Sequence, residues 1–117
     1  MKIYHIAAKV EYNNSLQGTD YKPVIFQKMG FIGCALPDQI LTVANTILKD
    51  AQDLIILRIN TVNLTSPVEY RVPYETPLAT TEFPHIMGPL NISAVEKTFP
   101  FERDSDGHFV LPENLAD

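Results

Sequence analysis

The chain has a single cysteine, Cys34, so it can form no internal disulfide. That excludes a disulfide-stapled secreted scaffold and predicts a reducing, cytoplasmic setting. No apolar run is long enough to span a membrane, and the opening MKIYHIAAKVEY lacks the apolar stretch of a signal peptide. With no secretory route expected, Asn63-Leu64-Thr65 and Asn91-Ile92-Ser93 read as chance glycosylation triplets. Basic residues are also scarce: nine, against fourteen acidic ones, for a formal charge of −5. They are scattered, and an acidic chain repels phosphate backbones, so nucleic acid is a poor partner. Also missing are a phosphate-binding glycine loop, a metal-type Cys/His spacing and a nucleophile elbow, so no metal site is expected. No repeat, low-complexity tract or Gly/Ser-rich linker divides the chain.

What remains is a chain of 117 residues, 45% hydrophobic and 20% charged, which suits one globular domain spanning residues 1–117. A chain of this size buries about 65% of its unfolded surface, enough for a core without staples. Ile3 to Ala7 is short and apolar and predicts a first strand. Lys9 to Gln17 predicts a helix that Gly18 would end. Pro23 interrupts the next stretch, so Asp20 to Lys28 is expected to be irregular, with an extended piece at Val24 to Phe26. A second strand is expected over Phe31 to Ala35. Ile40, Val43, Ala44, Ile47 and Leu48 recur at helical spacing and predict a helix from Pro37 to Lys49, with Pro37 at its first position. The run from Leu54 to Asn60 is almost wholly apolar, as in a central strand buried on both faces. Val68 to Val72 alternates as a half-exposed strand that Pro73 ends. Tyr74 to Glu82 reads as a loop long enough to cover something. Strands are expected around His85 to Met87 and Ala94 to Phe99, and the polar tail from Glu102 as a loosely held end.

The candidate chemistry lies in the histidines. His108, beside Asp106-Gly107, reads as a solvated turn residue. His5 and His85 each sit in an apolar strand, where a histidine is either a satisfied core residue or a group aimed into a cleft. In the second case it can act as acid, base or ligand donor near neutral pH. Cys34 has apolar neighbours and no adjacent cation to stabilise a thiolate, so it reads as a buried structural thiol rather than a nucleophile. Thr80 and Thr81 sit in the polar loop and read as solvated.

Three boxes, YHIA at Tyr4 to Ala7, GFIGCALPDQ at Gly30 to Gln39 and FPHIMGPL at Phe83 to Leu90, occur in the order and spacing of a known family. With the intervening LIILRI strand they resemble the small bacterial family called domain of unknown function 952, from Lys2 to about Phe101. The resemblance implies an α+β fold, a small split β-sheet domain with one or two helices, similar to that of ADP-ribosyltransferases. It implies a cleft between two small sheets with His5 and His85 as catalytic candidates. Ala7, Phe31, Gly33, Arg71 and Met87 would be its ligand-binding positions. The expected ligand is a small nucleotide-like molecule of NAD or ADP-ribose type, or another small polar molecule, with no cofactor specified. Members commonly carry a histidine where this chain has Gly33 and a tyrosine where it has Met87. A glutamate is frequent near Arg71, which could hold an anion in its place. Strand alternation puts residues 31, 33 and 35 on one face and Cys34 on the other, and likewise His85 and Met87 opposite Ile86. The losses at Gly33 and Met87 keep a second reading open, a non-catalytic interaction module with a degenerate cleft.

Overall fold

The computed structural model of the chain describes residues 1–73 and 81–116. In chain order it forms β1 (Lys2–Ala8), α1 (Lys9–Ser15), β2 (Asp20–Tyr21), α2 (Val24–Met29) and β3 (Ile32–Gly33). Next come α3 (Ile40–Thr46), β4 (Leu54–Asn60), β5 (Val68–Arg71), β6 (Phe83–Ile86), β7 (Leu90–Asn91) and β8 (Val95–Pro100). Short 3-10 turns lie at Pro37–Gln39, Thr61–Asn63 and Ile92–Ala94. This is a small mixed architecture of several antiparallel strands and few helices.

β4 explains the arrangement. It is the middle strand of a sheet ordered β1-β4-β8, antiparallel to both neighbours. Its successive side chains point to opposite faces, yet Leu54 through Ile59 are all buried. Each face therefore has its own core. Ile55, Leu57 and Ile59 join Ile3 and Ala7 of β1, packing against Tyr21, Ile32, Ile86 and Leu90. Leu54 and Ile56 join Tyr4 on the other face, against Ile40, Ala44, Phe83, Phe99 and Phe109. Each such side chain stabilises the fold by about 1.5–3 kcal/mol when fully buried, so a strand apolar on both faces belongs between two layers.

A second sheet, β3-β6-β5, meets the first through one bridge, between Tyr4 of β1 and Ala35 just beyond β3. Tyr4 N–H donates to the Ala35 carbonyl at 2.9 Å, and Ala35 N–H returns the bond at 2.7 Å. β2 and β7 pair as a separate two-stranded ribbon.

Several expectations are corrected. The extended piece expected at Val24 to Phe26 is the first half of α2. Pro23 starts the helix instead of interrupting the chain, because the residue preceding a first turn needs no N–H and its φ suits that place. The Val24 N–H is taken by Glu11 Oε2 at 2.9 Å, and Gly30, at φ 80°, ends the helix in the left-handed region. Gly18 does not play the corresponding part for α1, which stops at Ser15 with Leu16 in a right-handed cap. The helix expected over Pro37 to Lys49 is a 3-10 turn followed by α3, which ends at Thr46. There the Thr46 hydroxyl bonds the Thr42 carbonyl, one of the side-chain competitions that shorten helices. Only Ile32 and Gly33 of the second expected strand pair as a ladder, and β6 stops one residue before Met87. The expected loop at 74–82 lies outside the described residues except for Thr81 and Glu82, both exposed.

The tail from Glu102 is anchored against the second core. Phe109 and Leu115 are buried in it, and the Leu115 carbonyl accepts bonds from Tyr4 Oη and Arg58 Nη1. Two apolar anchors in a polar stretch escape any reading based on average polarity.

Candidate ligand cleft

The Tyr4–Ala35 bridge is where the two sheets part. Tyr4 uses its N–H and C=O toward Ala35, so Ile6, two residues on, turns its own N–H and C=O to the same side. The opposing strand has by then left to pair with β6, through Gly33 opposite His85. The Ile6 groups find no partner there among the described residues. Below this fork opens a cleft of about 450 Å³. Ile25 and Met29 of α2 wall one side and Val43, Ile47 and Leu48 of the α3 region another.

His5, Phe31, Gly33 and His85 all line this cleft. The two histidines differ in chemistry. His5 is buried, and its Nδ1 lies 2.7 Å from the Gly33 carbonyl, which can only accept, so Nδ1 carries the proton. Burial lowers the His5 pKa, against the opposing pull of the Gly33 carbonyl and the Glu11 charge, so the ring favours the neutral form. Nε2 is then an acceptor, and the Tyr21 hydroxyl donates to it at 3.0 Å. Both nitrogens are consumed: His5 ties β1 to β3 at the point where they diverge. Burial, reinforced by Glu11, holds the Tyr21 hydroxyl well above its ordinary pKa, so it stays a donor.

His85 is only 5% exposed, and its Nδ1 donates to the Phe83 carbonyl at 2.8 Å. Its Nε2 has no partner among the described residues, and no buried side-chain nitrogen or oxygen among them is left unpaired. Nε2 is therefore reached from the cleft that the ring lines. In the neutral ring it offers a lone pair there. Phe31 meets the same ring edge-on, with centroids 4.9 Å apart at 76°.

The remaining sequence-expected positions lie apart. Ala7 packs into the first core, on the face of β1 that also carries Ile3. Arg71 is exposed and paired with Glu69 at 2.9 Å. Met87 lies past the end of β6, its N–H bonded to the Pro67 carbonyl. None of the three lines the cleft. Cys34 contributes to the lining but packs in the first core, and burial raises its thiol pKa. A Cβ built on Gly33 meets no atom within 4 Å, so its missing side chain leaves open space.

Sequence reasoning missed Tyr21 and the α2 wall. Ile25 and Met29, spaced i and i+4 after Pro23, were a usable signal for the wall. Nothing near Tyr21 in sequence links it to His5, and only the fold brings them together. A group of Asp104, Asp106 and His108 has ligand atoms within 4.8 Å of one another, but all three are exposed. The Asp104 carboxylate already accepts the Asp106 and His108 N–H groups of its own turn.

The comparisons with known proteins agree with this architecture. The crystal structure of protein CC0527 from Caulobacter crescentus superposes with a TM-score of 0.81 at 21% identity, covering 99% of each chain. A double-mutant form of the same protein gives 0.81 at 20% identity, with the same coverage. Its solution structure gives 0.64 at 23% identity, over 92% of this chain and 90% of that one. At these identities the likeness speaks for the fold alone. A search of curated proteins finds no match. The family described as "Protein of unknown function (DUF952)" matches residues 6–98, most of the chain and every wall of the cleft except Tyr4 and His5, and the protein belongs to that family.

Proposed function

We propose that this protein binds a small organic molecule in the cleft between its two sheets, with His85 as the polar contact and His5 as a positioning residue. The observation that carries the reading is the His85 ring: almost fully buried, held at Nδ1, with Nε2 unpartnered among the described residues, and lining a cavity of about 450 Å³. Apolar walls with one or two directed polar groups are the common design of small-molecule sites. A ligand N–H or O–H donating to Nε2 fits the neutral ring. If the bound molecule reacts, the same lone pair is the available base. An NAD- or ADP-ribose-type ligand and a transferase-like reaction, carried by analogy with ADP-ribosyltransferases, are the finer form of this proposal.

The test is a thermal-shift screen with NAD, ADP-ribose, nucleosides and their free bases, on the wild type, His5→Ala and His85→Ala. A ligand of this site should stabilise the wild type. It should lose about 2- to 12-fold in affinity with His85→Ala, the range of one hydrogen bond. His5→Ala should chiefly lower the starting stability. A ligand that shifts all three proteins equally removes both histidines from the site.

Ile25, Met29 and Ile47 at the cleft rim are 45–49% exposed, which favours a second reading, an apolar surface that docks a partner. Light scattering across a concentration series checks its simplest form, self-association; Ile25→Ser should then shift any dimer toward monomer.

A further inference from the structure

We infer that the cleft selects an uncharged aromatic or heteroaromatic ring bearing an N–H or O–H donor, and that it gives no purchase to phosphate. The inference rests on the ligand-binding reading above and narrows it.

The cleft has no cation to offer: none of the nine lysines and arginines lines it. The segments outside the described residues, 74–80 and Asp117, contain no lysine or arginine by sequence and so can supply none. Arg71, the residue expected to hold an anion, is engaged by Glu69 on the surface of β5. Lys28 lies on α2 but is exposed and outside the lining. A phosphate placed here would shed its water against Ile6, Met29, Val43 and Phe83 with no counter-charge, which is strongly unfavourable.

The polar groups of the cleft suit a ring instead. Among the described residues they are a buried imidazole whose Nε2 is unpartnered and, along the parted edge of β1, the N–H and C=O of Ile6. Phe31 and His85 form an aromatic corner beside them. A flat ring places its faces against apolar and aromatic walls while its edge donates to Nε2, and a ring edge with its own donor and acceptor can also meet the Ile6 C=O and N–H. A sugar-phosphate chain, with many donors and acceptors and a net charge, leaves most of its own groups unpaired against the same walls.

Titration of isotope-labelled protein separates the possibilities, following the Phe31, Gly33 and His85 signals. The probes are adenine, nicotinamide and indole, against AMP, ADP-ribose and NAD. The expected result is that at least one free ring moves these signals, and that its phosphorylated relative binds no tighter. His85→Gln should weaken the ring while leaving the dispersion of the spectrum intact. Binding of AMP or ADP-ribose at these signals ten-fold tighter than adenine overturns this inference and leaves the ligand-binding reading standing. If no probe moves these signals, the ligand-binding reading falls and takes the inference with it.

Discussion

His5 holds the fork of the two sheets with a ring that has no spare nitrogen, and this gives it a pH signature that a catalytic role would not require. Its pKa is lowered chiefly by burial, so the folded protein keeps the ring neutral where an unfolded chain would protonate it. Below the unfolded pKa of about 6.5, the unfolded state binds a proton that the native state refuses. The contribution of His5 is thus fully present above that pH and is lost as pH falls from it toward the depressed native value. Unfolding free energies from urea titrations between pH 5 and 7.5 should drop on the acid side for the wild type, by up to about 1.4 kcal/mol per pH unit from this residue. His5→Gln should flatten that slope while lowering stability overall, because the Tyr21 hydroxyl and Gly33 carbonyl lose their fitted partner. An unchanged slope in the variant would assign the acid sensitivity to another group. His5 was legible as a residue of interest from its place in an apolar strand. Whether it was structural or poised could not be read, because Tyr21 and Gly33 are 16 and 28 residues away.

The segment from Pro23 to Ala35 shows where local pattern reading succeeds and where it stops. Gly30 and Gly33 look alike in sequence and lie three residues apart, and a Cβ on either meets open space. They differ in backbone conformation: Gly30 sits at φ 80°, and Gly33 is not among the positive-φ glycines. Gly30→Ala should therefore cost about 1 kcal/mol or more, through left-handed strain at the end of α2. Gly33→Ala should be neutral or stabilising by about 0.4–1 kcal/mol, by restricting the unfolded chain. Denaturant titrations of the two variants should give opposite signs; equal losses would refute the argument. The break at Gly30 and a strand after it were readable. That Pro23 opens a helix was not, since a proline permits a helix start as readily as a loop, and α2 is completed by Glu11 from another helix. The α2 wall of the cleft was invisible for the same reason.

At the scale of the whole molecule, two cores share one sheet, and the tail closes the second. Phe109, 5% exposed, stacks near Phe101 at 4.7 Å and lies under the Arg103 guanidinium. Phe109→Ala should cost about 3–5 kcal/mol, measured by urea denaturation. A loss under about 1 kcal/mol would mean that the tail is peripheral to the fold. The sequence by itself determined that β4 is a doubly buried central strand, because a continuous apolar run has no face it can leave in water. It also determined that Cys34 has no cation adjacent in sequence, and it singled out His5 and His85, the two histidines that line the cleft. Tertiary structure alone decided that they do so on unequal terms, and that Ala7, Arg71 and Met87 stand outside. The physical reason is that strand alternation assigns side chains to faces but does not say which edges part. Here one bridge at Tyr4 and Ala35, and the departure of Gly33 to pair with His85, open the cleft and leave the His85 ring lining it.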